Sequence, residues 1–182
     1  SWAAASGGGG GDPDLYRDNA SSATTPVASG TNAIALGSGA VSTGTRSLAV
    51  GTSRAAGNYS VAMMIGSNST SYGTFGGSRN LAMGELAKAH YGSYALGSQA
   101  SATGQKSYAL GTRSTASGEK SFALGFDAVS TPYGKYAYAS GMFGASGDAQ
   151  GGQYILRADV TDTTVTTLTT NNSTAAANNQ IV

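Results

Sequence analysis

The chain has 182 residues, 28 of them Gly and none Cys, with 40% hydrophobic and 10% charged side chains and a formal net charge of +1. The absent Cys excludes disulfides, thiolate metal sites and Cys nucleophiles, and the near-zero charge removes the electrostatic footprint of a nucleic-acid binder. A chain rich in Ala, Gly, Ser and Thr cannot fill a wide core at native packing density, but it can fill a narrow one.

Residues 1–30 carry no basic segment ahead of an apolar run, so they do not read as a signal peptide. No stretch of about 18 apolar residues is present to cross a membrane. The five-glycine run from Gly7 to Gly11, followed by Asp12-Pro13-Asp14, reads as a Gly-rich linker or N-terminal arm. The opening Ser-Trp-Ala-Ala-Ala reads as the start of a mature or excised piece of something longer.

Residues 31–141 repeat. Ser93-Tyr94-Ala95-Leu96-Gly97 returns as Ser107-Tyr108-Ala109-Leu110-Gly111 and Ser121-Phe122-Ala123-Leu124-Gly125. Earlier copies are Ala33-Ile34-Ala35-Leu36-Gly37, Ser47-Leu48-Ala49-Val50-Gly51, Ala62-Met63-Met64-Ile65-Gly66 and Asn80-Leu81-Ala82-Met83-Gly84. Their closing glycines step by 14, 15, 18, 13, 14 and 14 residues, and a degenerate copy, Ala137-Tyr138-Ala139-Ser140-Gly141, follows 16 later. A second glycine stands about halfway round each unit, at Gly44, Gly57, Gly73, Gly92, Gly104, Gly118 and Gly134. Two short alternating runs per unit, each closed by Gly, predict two strands and two tight turns, with Gly supplying positive φ. The fold class expected is all-β, a parallel β-roll or solenoid of about 14-residue coils.

Alternation says what each face does. Tyr108 and Leu110 share one face of their strand, and Ser107 and Ala109 the other. Small residues suit the inside of a thin roll, so the large pair is placed outward. Stacked coils then expose an apolar stripe larger than monomers tolerate, which calls for a partner. Three rolls about one axis make a compact prism, so a parallel homotrimer is expected. The opposite assignment of the two faces leaves the same conclusion, because both carry apolar residues. The extra residues in the units from Tyr59 to Gly73 and from Gly73 to Gly92 are expected to bulge as loops and to be the places for side-specific function.

Residues 142–182 lose the period. Gln153 to Val160 and the Thr-rich run from Thr161 to Thr170 read as an extended β or linker segment leading to a following domain or a cleavage point.

The repeats at Ser47–Gly51, Ser93–Gly97 and Ser107–Gly111, each followed by a small-residue half ending in Gly, resemble the head repeat of YadA-like trimeric autotransporter adhesins. The resemblance covers residues 31–141. It implies a trimeric left-handed parallel β-roll, displayed outside the cell, that binds matrix or surface ligands and catalyses nothing. No neck pattern or heptad stalk follows Gly141. Instead, the segment from Gly151 to Val182 resembles the joint between the shaft and the C-terminal β domain of bacteriophage tail fibres. The expected function is therefore a non-enzymatic trimeric fibre protein, a spacer and host-surface attachment element of a phage tail fibre or virion appendage. The alternative is the head of a bacterial trimeric autotransporter adhesin. Either placement is extracellular, with other fibre or virion proteins as partners in the first.

Charge is unevenly placed. Residues 31–141 hold eight cations, Arg46, Arg54, Arg79, Lys88, Lys106, Arg113, Lys120 and Lys135, against Glu85, Glu119 and Asp127. Tripled about an axis, that excess favours an anionic cell-surface glycan or lipopolysaccharide as a partner. No catalytic, cofactor-binding or metal-ligating residues are expected. The lone His90 has no ligand-spaced partners and reads as a loop residue, and no nucleophile elbow or phosphate loop is present. Glu85, Glu119 and Asp127 fall on separate coils, which argues against a glycan hydrolase. Tyr94, Tyr108, Phe122 and Tyr138 form a ladder expected to be packed rather than free to stack on sugars or bases. Neither nucleic acid nor membrane insertion is expected.

Overall fold

The computed structural model describes residues 24–67, 71–158, 163, 166–171 and 173. Most of the expected linker over residues 1–30, and residues 161, 162, 164 and 165 of the Thr-rich run, lie outside the described residues.

Two sheets form the walls of a roll. The first contains β1 (Val27–Ala28), β3 (Val41–Ser42), β5 (Arg54–Ala55), β7 (Gly73–Phe75), β9 (Lys88–His90), β11 (Ser101–Ala102), β13 (Thr115–Ala116) and β15 (Val129–Ser130), in that order. The second contains β2 (Ile34–Leu36), β4 (Leu48–Val50), β6 (Val61–Met63), β8 (Leu81–Met83), β10 (Tyr94–Leu96), β12 (Tyr108–Leu110), β14 (Phe122–Phe126) and β16 (Tyr136–Ser140), closed by β17 (Gln150–Gln153). All neighbours up to β16 are parallel and like residues stack: Tyr94 on Tyr108 on Phe122, and Leu96 on Leu110 on Leu124. At about 4.8 Å per strand, eight coils rise on the order of 35–40 Å. The all-β parallel solenoid read from the repeats is the fold observed.

Small side chains make this geometry. Each regular coil sends four residues inward, for example Ser107, Ala109, Ser114 and Ala116, all at zero exposure. The facing sheets are too close for more than a methyl or hydroxyl, and the core is a set of Ala and Ser columns along the roll. Interior serines are satisfied within the regular coils: Ser107 Oγ donates to the carbonyls of Gly104 (2.8 Å) and Ala116 (3.0 Å). Ser121 repeats the pattern by donating to Ser130 at 3.1 Å. Pairing of this kind offsets the cost of removing a polar group from water. The buried Thr74 hydroxyl, by contrast, has no partner among the described residues.

Register departs from the glycine count in two places. Residue partners in the second sheet run Ile34, Leu48, Val61, Leu81, Tyr94, Tyr108, Phe122 and Tyr136. The third copy is therefore Val61-Ala62-Met63, not Ala62 to Gly66, and Met64 takes the left-handed turn position with φ 57°. The last copy is Tyr136-Ala137-Tyr138, a regular coil, with Ala139 beside Gly125. The surplus residues thus fall in one coil, between Val61 and Leu81.

Among the halfway glycines Gly73, Gly92 and Gly134 take the positive φ expected, whereas Gly44, Gly57, Gly104 and Gly118 do not. A Cβ on Gly104 would overlap the carbonyl oxygen of Gly118, and one on Gly118 that of Pro132. Closeness of successive coils selects glycine there. The left-handed position two residues on is occupied by Lys106 (φ 56°) and Lys120 (φ 55°). Gly134 belongs to that second position, because its N–H donates to Glu119 as Lys120 donates to Gln105. Gly73 lies in β7, not in a turn.

The last coil is closed by a reversal. β17 pairs antiparallel with β16, covering its open edge. The first sheet ends differently: the side-chain amide of Gln150 accepts from Val129 N–H at 2.7 Å and donates to Val129 C=O at 2.8 Å, standing in for a strand. Asp148 holds the connecting turn by accepting from the N–H groups of Phe143 (2.8 Å), Gly144 (2.6 Å) and Ala145 (2.8 Å). Those bonds, Gly144 first, pull its carboxyl below the usual carboxylate range. Arg157 and Thr169 form an isolated antiparallel bridge, the described part of the extended segment.

One ion pair ties two successive coils and anchors the turn through Ser146. Asp127, inaccessible to solvent, accepts from Arg113 Nε at 2.8 Å, from Arg113 Nη2, and from Ser146 Oγ at 2.7 Å. The Arg113 hydrogen bonds, reinforced by Ser146, hold its carboxyl below the ordinary value. A depressed carboxylate contributes stability above its unfolded pKa of about 3.9 and loses it as pH falls through the folded value. Asp127→Asn is expected to lower Tm clearly at pH 7 and to leave little difference from wild type near pH 2. Thermal melts at both pH values check this, and an equal gap at both would refute it.

Candidate functional site

With the interior sealed, function has to lie on the two outer faces and the two corners. The outer face of the first sheet is mixed: hydroxyls at Ser101 and Thr115 share a column with Val27, Val41, Val129, Arg54 and Lys88, and Phe75 and His90 stand beside it. His90 is on β9, not in a loop as its sequence context suggested, with its ring 4.0 Å from that of Phe75 in an edge contact. Partial burial, with Lys88 nearby, pushes its pKa below the ordinary value.

The second sheet has a different outer face. Two apolar columns run its length, one from Ile34 to Tyr136 and one from Leu36 to Tyr138. The aromatic members of the first column stack: ring centroids lie 5.1 Å apart for Tyr94–Tyr108, 5.6 Å for Tyr108–Phe122 and 5.5 Å for Phe122–Tyr136. The ladder's fourth rung is thus Tyr136; Tyr138 continues the leucine column. The whole stripe lies outside the roll, and Ile34, Met83, Tyr108 and Tyr138 are exposed.

The corner leading into the second sheet carries a ridge. Arg46, Tyr59, Arg79, Lys106 and Lys120 hold equivalent left-handed positions, with φ between 53° and 63°. Each N–H donates to the preceding coil: Tyr59 to Thr45, Arg79 to Asn58, Lys106 to Tyr91 and Lys120 to Gln105. At one end the Arg46 guanidinium lies over the Tyr59 ring at 5.6 Å; at the other Lys120 Nζ lies 4.9 Å from the Tyr133 ring centroid. Lys120 also pairs with Glu119 at 3.2 Å, and the Tyr133 hydroxyl and that pair raise its pKa. The sequence held a signal for this ridge that periodicity within the strands overlooks. Each ridge residue directly precedes an inward Ser or Asn, namely Ser47, Ser60, Asn80, Ser107 and Ser121.

Metal and acid–base arrangements are a different matter. Among the described residues no group of three or more His, Asp or Glu is placed to hold a metal ion. Asp127 is engaged by Arg113 and Glu119 by Lys120. Among the same residues no helix is long and apolar enough to cross a membrane.

Comparison with curated proteins gives no match. The YadA head domain repeat, in 2 copies, matches residues 28–53, 91–107 and 102–128. Those matches cover coils on either side of the long coil between Val61 and Leu81, which they omit. The coils over residues 28–53 and 91–128 match the YadA head repeat, and the chain winds as a YadA-like head β-roll.

Proposed function

We propose that this chain is a non-enzymatic, extracellular, trimeric fibre segment that acts as a spacer and carries an attachment surface. The observation that carries the reading is the apolar stripe. Two columns of Leu, Ile, Val, Met and aromatic residues run the length of a roll whose own core is already filled by Ala and Ser. Exposed apolar patches beyond a few hundred Å² mark association sites, and a stripe parallel to the long axis is buried by like copies around that axis. YadA-type heads are adhesin modules displayed outside the cell, which agrees with a roll that presents faces rather than a cleft.

Two placements share this role. A phage tail fibre or virion appendage is favoured by the resemblance of residues 151–182 to a fibre joint. The head of a bacterial adhesin is favoured by the matched repeats. The gene context separates them: tail genes support the first, and a coiled-coil stalk with a membrane anchor encoded downstream supports the second. Light scattering tests the assembly, with an expected mass three times the 17.9 kDa chain. A stable species at the single-chain mass overturns the trimer.

A further inference from the structure

We infer that the corner ridge binds a linear acidic polysaccharide, with an anion socket between Arg79 and Lys106. The inference rests on the attachment role proposed above and gives that role a surface and a ligand chemistry. At its two ends the ridge is occupied by its own tyrosines, through Arg46–Tyr59 and Lys120–Tyr133. In the middle it is open. The coil between Arg79 and Lys106 supplies Gly92 (φ 74°) at the ridge position, where no side chain fills the cavity of about 410 Å³ that it lines. Arg79 and Lys106 flank it; Tyr91, Tyr94, Tyr108 and Gln105 complete its lining.

The chemistry of that lining is specific. Among the described residues neither Arg79 nor Lys106 makes a salt bridge, and the ridge's one carboxylate, Glu119, is engaged by Lys120. Two coils separate the cations, roughly 9.6 Å at the strand spacing. That gap admits one sugar ring with an anionic group on either side. Tyr91, half exposed at 53%, offers a ring face on which an apolar sugar face can stack, and Gln105 supplies amide donors and an acceptor for hydroxyls. Arg and Lys then meet carboxylate or sulfate oxygens, the guanidinium in bidentate fashion. Nucleic acid fits less well, because a chain of net charge +1 lacks the cation density that phosphate binding uses. Tyr94 and Tyr108 also belong to the apolar stripe, so the socket opens at the stripe's margin and the assembled protein is the one to test.

The test is binding of the intact protein, at low and physiological salt, to immobilised polygalacturonate, dextran sulfate, neutral dextran and single-stranded DNA. Expected is binding to polygalacturonate or dextran sulfate, those two arms separating a carboxylate from a sulfate ligand, with neutral dextran and DNA at least tenfold weaker. Arg79→Gln and Lys106→Gln should each weaken acidic-glycan binding about tenfold, equivalent to about 1.4 kcal/mol. Lys88→Gln, a cation on the opposite sheet, should leave it unchanged. Mass and melting temperature of each variant confirm that the assembly is intact. Equal loss with Lys88→Gln, or DNA binding as tight as glycan binding, overturns the socket. Attachment to whole cells is measured in parallel. If wild type attaches and the Arg79→Gln/Lys106→Gln pair attaches equally well, the socket is wrong while the attachment role stands; if wild type attaches to neither cells nor glycans, both fall.

Discussion

Leu110→Asp is expected to convert the assembly to single chains and to lower its melting temperature by on the order of 10 °C. Leu110 stands mid-column, between Leu96 and Leu124, on the outer face of the second sheet. In the proposed trimer its side chain is covered by the other copies, where burial of a Leu contributes about 2–3 kcal/mol. An unpaired carboxylate in its place loses that and adds a desolvation cost of several kcal/mol per chain. Since the roll's interior is untouched, any single chain that persists should keep its strand content. Light scattering together with circular dichroism reads both. A variant that remained trimeric with an unchanged melting temperature would show that the stripe is not the interface. Leu110→Met, which preserves volume and polarity, should behave as wild type.

The second large effect is predicted inside a single chain. Gly111→Ala should destabilise the roll by about 2–6 kcal/mol, from two terms of about 1–3 kcal/mol each. Gly111 has φ 124°, a conformation that L side chains rarely adopt, and its added Cβ would lie 3.0 Å from Gly125 Cα and overlap the Gly125 carbonyl oxygen. Backbone cannot move aside there, because the next coil is held at the strand spacing along its whole length. Gly134→Ala provides the comparison. Its φ of 64° is ordinary left-handed backbone and a Cβ there meets nothing within 4 Å, so only about 1 kcal/mol is expected. Chemical denaturation of the two variants measures the difference; equal costs would mean that coil-to-coil closeness does not select glycine at Gly111.

The architecture was legible because the chain repeats one physical solution. Ala109 and Ala116 can face inward only because they are small, and Tyr108 and Leu110 must face outward for the same reason. The alternation alone therefore separates core from surface. What was not legible came from using glycine as the marker of register. Met64 and Ala139 stand where the other coils place Gly, so the third and last copies slid by two residues. The binding ridge stayed hidden for a related reason. Lys106 and Lys120 sit in a turn just ahead of the strand, and a reading built on in–out alternation assigns turn residues no direction.

A structure made of interchangeable layers has an ambiguity that most folds lack. Were the coil of Tyr108 looped out, Tyr94 could stack on Phe122 with Ala still on Ala and Leu still on Leu. The long coil removes that degeneracy. Its Asn80, in the place of the inward Ser, donates to the carbonyl of Gly76 at 2.9 Å and accepts from Gly92 N–H at 2.6 Å, contacts that no other coil can make. Ile65, the largest fully buried side chain, fills the other corner of the same layer. The irregular coil thus acts as an index mark. It admits a single vertical alignment of the chain with itself, and in an assembly of identical rolls it would also keep the copies level with one another.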